Sequence, residues 1–333
     1  MPLPETPAVL ALRQAVRDWL ARFGPSGSVV AVAVSGGADS LALTAAAVAE
    51  AALVDALVVD HRLQDGSDEV AATAAATARG LGCRSARVLP VEVGRVGGME
   101  AAARTARYAA LASSRGGLPV LLGHTLDDQA ETVLLGLGRG SGARSIQGMA
   151  PFDDPWGRPL LGVRRETTRQ FCVDLGLSPY EDPHNSSPEF TRVRLRTEVL
   201  PLLEDVLGGT AAPALARTAE QLRQDNAALD EFAGELLVRA ESEAPGLSCA
   251  VLAAAAAAVR SRAVRAWLLT QGVRAVTGAH IRSIDELVVG WRGQGGVAVS
   301  GPERGTRLVV VREHGRLTLA RADRVSRDRR ETS

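Results

Sequence analysis

A short segment of small residues, 35–40 (Ser-Gly-Gly-Ala-Asp-Ser), directly follows six apolar residues at 29–34. The apolar run is rich in valine, which is typical of a buried strand. Helical spacing resumes at Leu41, so the glycines lie in a tight turn before a helix. Such a turn gathers free backbone N–H groups at the positive end of a helix dipole and favours phosphate binding. An ordinary strand–turn–helix corner is the alternative interpretation.

Two observations limit the kinds of phosphate chemistry that this loop can support. It contains no lysine, so it is not the Gly-Lys-Ser/Thr phosphate loop of kinases and GTPases. It does contain Asp39, whose hard carboxylate oxygens suit Mg²⁺ bridging a triphosphate. The alternative role for Asp39 is a helix N-cap.

A second polar segment, 123–132 (Gly-His-Thr-Leu-Asp-Asp-Gln-Ala-Glu-Thr), follows the apolar run 119–123. On a helix, Asp128 and Glu131 are three residues apart and share one face. Two acids on one face, next to His124, could hold Mg²⁺ or a cationic substrate. The alternative is that the acids only compensate the helix dipole in the first turn.

Three further sets of charged residues carry weaker signals. Glu100, Arg104, Arg107 and Tyr108 fall on one side of a predicted helix, although a Glu–Arg pair four residues apart is often a plain surface pair. Arg139, Gly140, Ser141 and Gly142 form a predicted flexible loop with an arginine that can bind phosphate. Residues 181–185 are followed by Arg192, Arg194 and Arg196, whose alternation on an extended segment would present three cations to an RNA backbone. A solvated edge is the alternative for these arginines.

Composition restricts the class of protein. The 333 residues are 46% hydrophobic and only 3% aromatic, which allows a large core of Ala, Val and Leu. The net charge is +0, yet residues 250–333 carry 15 Arg and 7 acidic residues, which favours a polyanion partner for that part. All basic residues are arginine, so no side-chain amine can act as a nucleophile. The three cysteines are far apart in sequence and give no support for a zinc, iron–sulfur or disulfide framework.

The chain has no predicted signal peptide or membrane span, so we expect a cytoplasmic protein without membrane contact. Helices are predicted over 8–23, 41–51, 70–81, 99–114, 127–137 and 164–175, and strands over 29–34, 56–59, 87–93 and 119–123. This alternation predicts an α/β fold with a doubly wound parallel sheet. Ligands of such sheets bind beyond the carboxyl ends of the strands, where Ser35, His61 and His124 would meet.

The second half of the chain predicts a different organisation. Residues 138–157 and 179–191 are expected to be loops, and a long helix is expected over 214–240. Beyond it we expect a smaller, mainly helical C-terminal domain that ends in a hairpin around His314-Gly315. The predicted domains are residues 1–205, a linker helix over 206–244 and a basic domain over 245–333.

The order and spacing of these motifs resemble the tRNA(Ile)-lysidine synthase family, whose catalytic domain is a Rossmann-like PP-loop ATP pyrophosphatase. The resemblance covers about residues 28–205 by motif and, more loosely, the helical part with residues 291–295 (Trp-Arg-Gly-Gln-Gly). The chain resembles the short form of the family, which implies catalysis by residues 1–205 and tRNA binding by residues 245–333. It implies that free L-lysine is joined to the wobble cytidine of tRNA(Ile) with a CAU anticodon, with ATP and Mg²⁺. The wobble oxygen would attack the α-phosphorus, and the lysine ε-amine would then displace AMP. A homodimer is one possible assembly.

The resemblance also implies roles for individual residues. The ATP and its Mg²⁺ would be held by Ser35, Gly36, Gly37, Ala38, Asp39 and Ser40, with His61 near the adenosine. Arg104, His124, Asp128 and Glu131 would line the lysine and reaction site, with Asp128 a second metal ligand. Residues 139–142 (Arg139, Gly140, Ser141, Gly142) would approach ATP, and Arg192, Arg194 and Arg196 the anticodon loop.

Two departures and three alternatives accompany this interpretation. Ser145-Ile146 stands where the family usually has Gly-Leu, and His184 where it usually has Ser. A tRNA thiolase would want catalytic cysteines, and an ammonia-dependent synthetase would lack the basic C-terminal part and the 127–132 segment. A non-catalytic nucleotide sensor would need neither Asp128 nor Glu131.

Overall fold

The computed structural model describes residues 3–64, 66–94, 98–140, 142–182, 189–241, 244–303 and 306–321, except the side chains of Met99 and Glu100. The chain divides into two compact units, residues 1–223 and 224–333. Ser141 and the predicted loop residues 183–188, which include His184, lie outside the described residues.

The first unit is built on a six-stranded sheet in the order β3-β2-β1-β4-β6-β5. Its strands are β1 (Val29–Val34), β2 (Leu53–Asp60), β3 (Ser85–Pro90), β4 (Val120–Leu121), β5 (Phe152–Asp153) and β6 (Trp156–Gly157). All neighbouring pairs are parallel except β5 with β6. The predicted doubly wound α/β sheet is confirmed. The predicted 138–157 loop is wrong in detail, because it also holds a short helix and this β5–β6 hairpin.

The helices of the first unit are α1 (Pro7–Phe23), α2 (Ala38–Glu50), α3 (Ser67–Leu81), α4 (Met99–Ser114), α5 (Leu126–Arg139), α6 (Ala143–Ile146), α7 (Arg165–Asp174), α8 (Thr191–Arg194) and α9 (Leu200–Leu207). Helices α1, α2, α3 and α7 pack on one face of the sheet, and α4 packs on the other. Along β1, Val30, Val32 and Val34 join one core cluster and Ala31 joins the other. A strand buried on both faces must be apolar throughout, which explains the uninterrupted run at 29–34.

The chain order explains where a ligand cleft forms. From β1 the chain adds β2 and β3 on one side, and β4 is then placed on the other side of β1. The strand order therefore changes direction between β1 and β4. Open α/β sheets bind ligands at the carboxyl ends of the two strands that flank such a point. Residues 35–40 follow β1, and Gly123 and His124 follow β4.

The segment around Arg192 differs from its prediction. Alternating arginines were expected on an extended chain, but residues 191–194 form α8 and 195–199 form a π-helical turn that continues into α9. The extended assignment is therefore wrong. Alternation over three arginines is too short a pattern to distinguish a strand from a helix once Val193 and Leu200 are buried.

The second unit has its own core. It contains part of α10 (Ala211–Glu241), then α11 (Cys249–Ala253), α12 (Ala257–Thr270) and α13 (Gly278–Val289). A four-stranded antiparallel sheet has the order β7-β10-β9-β8, with β7 (Leu247–Ser248), β8 (Val297–Ser300), β9 (Arg307–Glu313) and β10 (Arg316–Arg321). The predicted hairpin at His314-Gly315 is the β9–β10 pair. The helical prediction holds, with this small sheet in addition.

No single helix in the described ranges is long and apolar enough to cross a membrane. By length and composition, only the bent pair Thr191–Leu207 and Ala211–Glu241 would meet that requirement together.

Close packing within the first unit leads to a prediction at Gly136 of α5. An added Cβ there would clash with the backbone carbonyl oxygen of Ser145 in α6, whereas nothing lies within 4 Å of a Cβ at Gly138. We expect Gly136→Ala to lower the free energy of unfolding by about 1–3 kcal/mol, as overpacking does. Gly138→Ala, the matched control on the same helix, should change it by less than about 1 kcal/mol. Urea denaturation of both variants measures the difference, and equal stabilities would contradict the packing.

Candidate active site

The loop after β1 is organised by its own serines. The backbone N–H of Ser35 donates to Ser40 Oγ at 3.1 Å, and Ser40 Oγ donates to the carbonyl oxygen of Gly37 at 2.9 Å. Gly36 has φ +84°, a conformation that favours glycine, and its carbonyl accepts the backbone N–H of Tyr180 at 2.9 Å. Gly37 is the N-cap of α2, so Asp39 lies in the first helical turn and is not the N-cap itself.

An open cavity of about 1210 Å³ lies beside this loop, at the carboxyl edge of the sheet. A volume of this order accommodates a nucleotide together with a second small substrate. The predicted site residues that line it are Ser35, Gly37, Ala38, Asp39, Ser40, His61, His124, Asp128 and Arg196. The predicted convergence after β1, β2 and β4 is therefore seen in the structure.

Other predicted residues lie outside the lining of this cavity. Arg104 is exposed and donates to Tyr108 Oη at 3.2 Å, with its guanidinium 4.8 Å from the Tyr108 ring centre. Arg139 and Gly140 end α5, which begins at the cavity, and eleven residues of helix place Arg139 about 16 Å along the axis from Asp128. Gly142 is the N-cap of α6.

The first turn of α5 places Asp128 at the cavity through a capping box, whereas Glu131, predicted to line the reaction site, lies outside the cavity lining. Thr125 is the N-cap, and Asp128 Oδ2 accepts both its backbone N–H and its hydroxyl at 2.8 Å. This fixes one oxygen of Asp128 and leaves Oδ1 directed at neighbouring cations. Glu131, one turn further, is fully buried. Asp128 can compensate the helix dipole and also serve the site, because the capping box orients its carboxylate.

One arginine lies among the carboxylates of both segments. Arg165, the first residue of α7, has Nε 3.4 Å from Asp39 Oδ2, Nη2 2.5 Å from Asp128 Oδ1 and Nη1 3.4 Å from Glu131 Oε1. Its backbone N–H donates to Asp127 Oδ2 at 2.8 Å. The hydroxyl of Thr168, in the same turn, donates to Asp39. We name Asp39, Asp128, Glu131 and Arg165 the carboxylate cluster.

The arginines predicted to contact tRNA have different surroundings. Arg196 Nε lies 2.8 Å from Glu131 Oε1, and Arg192 Nη1 lies 3.9 Å from Glu131 Oε2. Arg194 points elsewhere: its side chain is 61% exposed and pairs with Glu198 at 2.8 Å. Arg196 and Arg192 thus neutralise a buried acid, whereas Arg194 has the exposure that a backbone contact to RNA needs.

Burial and charge tune the titratable groups of the cavity. Burial raises the pKa of Asp39, although Thr168 and Arg165 oppose this. Burial also disfavours the charge on Asp128, but Arg165 and the bonds from Thr125 outweigh it and hold the pKa of Asp128 below its ordinary value. Burial lowers the pKa of His124 to about 3, so its imidazole is neutral at pH 7. Its Nδ1 is buried without a hydrogen-bond partner among the described residues.

Sequence reasoning missed Arg165, Thr168, Thr125 and Tyr180. A signal for Arg165 was present: Arg164 and Arg165 begin a predicted helix, where the dipole disfavours cations. Cations at that position require acidic partners from elsewhere, and α5 supplies them. Nothing in the sequence pattern indicates that Tyr180 contacts the glycine loop.

Comparisons with known proteins identify the two parts. A family model described as a PP-loop domain matches residues 9–203, and one described as the TilS substrate binding domain matches residues 247–318. The tRNA(Ile)-lysidine synthase of Nocardia farcinica is 69% identical over 94% of this chain and 98% of its own length. The chain belongs to the tRNA(Ile)-lysidine synthase family. The same name is carried by relatives from Rhodococcus erythropolis, 64% identical over 97% of this chain and 99% of theirs, and Mycobacterium tuberculosis, 59% identical over 87% and 90%.

A solved structure supports the fold of this lysidine synthase family member. The U34-tRNA thiolase NcsA from Methanococcus maripaludis superposes with a TM-score of 0.52 at 16% identity, covering 65% of this chain and 79% of that chain. At this identity the likeness shows the fold alone.

In this chain, burial raises the pKa of Cys83 and of Cys172 to about 11, which makes both thiols poor nucleophiles at neutral pH.

Proposed function

We infer that this chain uses ATP to join the ε-amine of free L-lysine to C2 of the wobble cytidine of tRNA(Ile) with a CAU anticodon. The observation that carries this inference is the meeting of a phosphate-binding loop with the carboxylate of Asp128 in one cavity. The loop suits a triphosphate, and the carboxylate suits an ammonium group. The identity of the relatives over nearly the whole chain supports the same reaction.

The first chemical step requires a good leaving group. The C2 oxygen of the cytidine attacks the α-phosphorus of ATP, and pyrophosphate leaves. The N–H groups at the start of α2 and the Ser35 and Ser40 hydroxyls would stabilise the negative charge that grows on that pyrophosphate. The C2 atom of a stacked base is inaccessible, so the reaction needs an unstacked base of a single-stranded loop.

The carboxylates that face the cavity fit a divalent cation. Mg²⁺ is usually held by one or two carboxylates together with substrate phosphates. Asp39 and Asp128 both line the cavity beside the phosphate-binding loop, so their oxygens could hold Mg²⁺ together with the phosphates of ATP. When bound, Mg²⁺ would neutralise charge on the phosphates of ATP. No group of three or more His, Cys, Asp or Glu side chains in the described ranges forms a metal site on its own.

The second step joins the amine to the activated base. The lysine ε-amine attacks C2, the bond from C2 to oxygen breaks, and AMP leaves with that oxygen. Asp128 would hold the amino group of lysine at the cavity wall through a charge-assisted hydrogen bond, with the buried Glu131 behind it fixing Arg165 and Arg196. The neutral His124, with its unpaired Nδ1, offers a hydrogen-bond acceptor without adding a competing cation.

A product assay tests the proposal directly. The tRNA(Ile) transcript is incubated with the protein, ATP and isotopically labelled lysine, then digested to nucleosides for mass spectrometry. We expect one cytidine to gain the mass of lysine less one water, at the first position of the anticodon. A transcript with uridine at that position should remain unmodified. Incorporation of sulfur, or of ammonia instead of lysine, would assign a different ligase.

The roles of the other regions are part of the same proposal. Residues 245–333 would bind tRNA, with residues 206–244 leading into them. On this unit Trp291 is exposed and has the Arg312 guanidinium 5.5 Å from its ring, an arrangement that suits stacking on a base. A homodimer and a cytoplasmic location stay predictions, which light scattering and cell fractionation can test.

Binding of tRNA leads to a prediction at Arg194. We expect Arg194→Gln to weaken tRNA binding and to reduce the slope of log K against log salt by about 0.7–0.9, the value for one phosphate contact. Arg192 is a poor test site because it also approaches the buried Glu131. Arg17→Gln removes a comparably exposed arginine from an ion pair with Glu50 and serves as the control. Filter binding at several salt concentrations measures both, and an unchanged slope in Arg194→Gln would place the tRNA elsewhere.

A further inference from the structure

Arg165 joins two parts of the site that the sequence keeps far apart. Asp39 belongs to the turn after β1, whereas Asp128 and Glu131 belong to α5, and the single guanidinium of Arg165 contacts all three. Among the described residues, Arg196 also reaches Asp128 and Glu131 but has no contact with Asp39. Arg165 is thus the cation that both halves of the site share.

The backbone around Arg165 is fixed on both sides. Its own N–H donates to Asp127 at the start of α5, and the Thr168 hydroxyl one turn later donates to Asp39. The side chain of Arg165 is only 13% exposed. The planar guanidinium is therefore held by its main chain and by burial, and it can act as a rigid spacer between the carboxylates.

The charges of these carboxylates and their arginines are balanced. Asp39, Asp128 and Glu131 carry three negative charges, and Arg165, Arg196 and Arg192 supply three positive charges within 4 Å of them. Without Arg165, only Arg196 and Arg192 would remain to separate the carboxylates, and like charges at this distance repel.

We propose that Arg165 is a positioning residue that sets the separation between Asp39 and the Asp128–Glu131 pair. It thereby aligns the ATP-binding half of the site with the amine-binding half. The role rests on the proposed function, because that reaction needs both halves to act on one cytidine. Arg165 acts through the carboxylates and not by contact with a substrate. Two other roles are distinguished from this one. Arg165 could be a counter-ion that only stabilises the fold, or a plug, which means a side chain that occupies the lysine site and must be displaced by lysine.

The three roles predict different kinetics for Arg165→Gln. We expect kcat for lysidine formation to fall about a hundredfold, because misplacement of reacting groups by about 1 Å has that effect. KM for lysine should change less than about threefold, because the carboxylates that attract the amine remain. Arg165→Lys keeps the charge but cannot span three carboxylates. Its kcat should therefore lie between those of the wild type and Arg165→Gln, about tenfold below the wild type. Arg84→Gln, which breaks an exposed pair with Asp55, is the control.

Each alternative outcome decides against the proposal. Reaction rates are sensitive to the geometry of the reacting groups. If folded Arg165→Gln has a kcat within about threefold of the wild type, Arg165 has only a structural role. A KM for lysine that rises more than about tenfold at constant kcat would assign direct substrate contact, and a KM that falls would assign a plug. If Arg165→Gln does not fold, Arg165→Lys carries the test, and a wild-type kcat in that variant overturns the proposal.

A crystal structure of substrate-free Arg165→Gln separates this proposal from the proposed function. We expect the carboxylates of Asp39 and Asp128 to lie at least about 1 Å further apart than in the wild type, a displacement large enough to matter for catalysis. An unchanged separation would overturn the positioning role, whatever reaction the protein catalyses. Failure of wild-type protein to modify tRNA with lysine would refute the proposed function and leave this structural comparison valid.

Discussion

Replacing Asp39 by alanine is expected to abolish tRNA-dependent pyrophosphate release, with a fall in rate of at least about 10²- to 10³-fold. Asp39 lies in the first turn of α2, faces the cavity and contacts Arg165 and Thr168. Its removal takes away a proposed metal ligand and one of the three carboxylates that Arg165 holds. Pyrophosphate release from ATP, measured with tRNA and lysine present, gives the rate.

Two further variants define what the loss at Asp39 means. Asp39→Asn keeps the size and the acceptor oxygen for Thr168 but removes the charge, so it should lose nearly as much activity as alanine if the charge is essential. Asp55→Ala removes another aspartate of the first unit, which pairs with Arg84 away from the cavity, and its rate should stay within about twofold of wild type. Wild-type turnover in Asp39→Ala would refute the role of this carboxylate.

Replacing Glu131 by glutamine is expected to lower the free energy of unfolding by about 3 kcal/mol, as loss of one partner in a buried ion pair does. The carboxylate of Glu131 is fully buried, and Arg165, Arg196 and Arg192 all lie within 4 Å of it. A neutral amide leaves these cations with fewer partners, and its NH₂ group presents donors where Glu131 accepts. Urea denaturation followed by far-UV circular dichroism measures the change.

The matched control for Glu131 is Glu198. Glu198 also pairs with an arginine, Arg194, but its side chain is 49% exposed and the pair spans one helical turn. Glu198→Gln should therefore cost less than about 0.5 kcal/mol. Because Glu131 holds Arg165 and Arg196 beside Asp128, Glu131→Gln should in addition lower lysine-dependent AMP formation under conditions in which it remains folded. Equal stability of the two variants would contradict the buried cluster.

The sequence predicted most of the catalytic unit because its signals are local. The strand at 29–34, the glycine turn after it and the helix at 99–114 each follow from a run or a period that tertiary packing reinforces. The carboxyl ends of β1, β2 and β4 were correctly expected to gather Ser35, His61 and His124. The family resemblance added the reaction, which no spacing by itself could provide.

The errors and omissions come from contacts between distant segments. Arg165 meets Asp39 across 126 residues, and no local pattern encodes that distance. The three arginines after residue 191 formed a helical segment instead of an extended one, because two of them neutralise the buried Glu131. These arginines were correctly expected to meet negative charge. For Arg192 and Arg196, however, the buried carboxylate of Glu131 explains the positive charge equally well as an RNA backbone.

The reaction itself is tested most directly by AMP formation from ATP with lysine and tRNA(Ile) bearing a CAU anticodon, each omitted in turn. The site described above predicts AMP in proportion to lysine fixed in the tRNA, and no AMP when lysine, ATP or tRNA is missing. Asp39→Ala in the complete mixture should match the omissions. AMP formation that proceeds without lysine but depends on a sulfur donor or ammonia, or no AMP under any combination, would contradict the account.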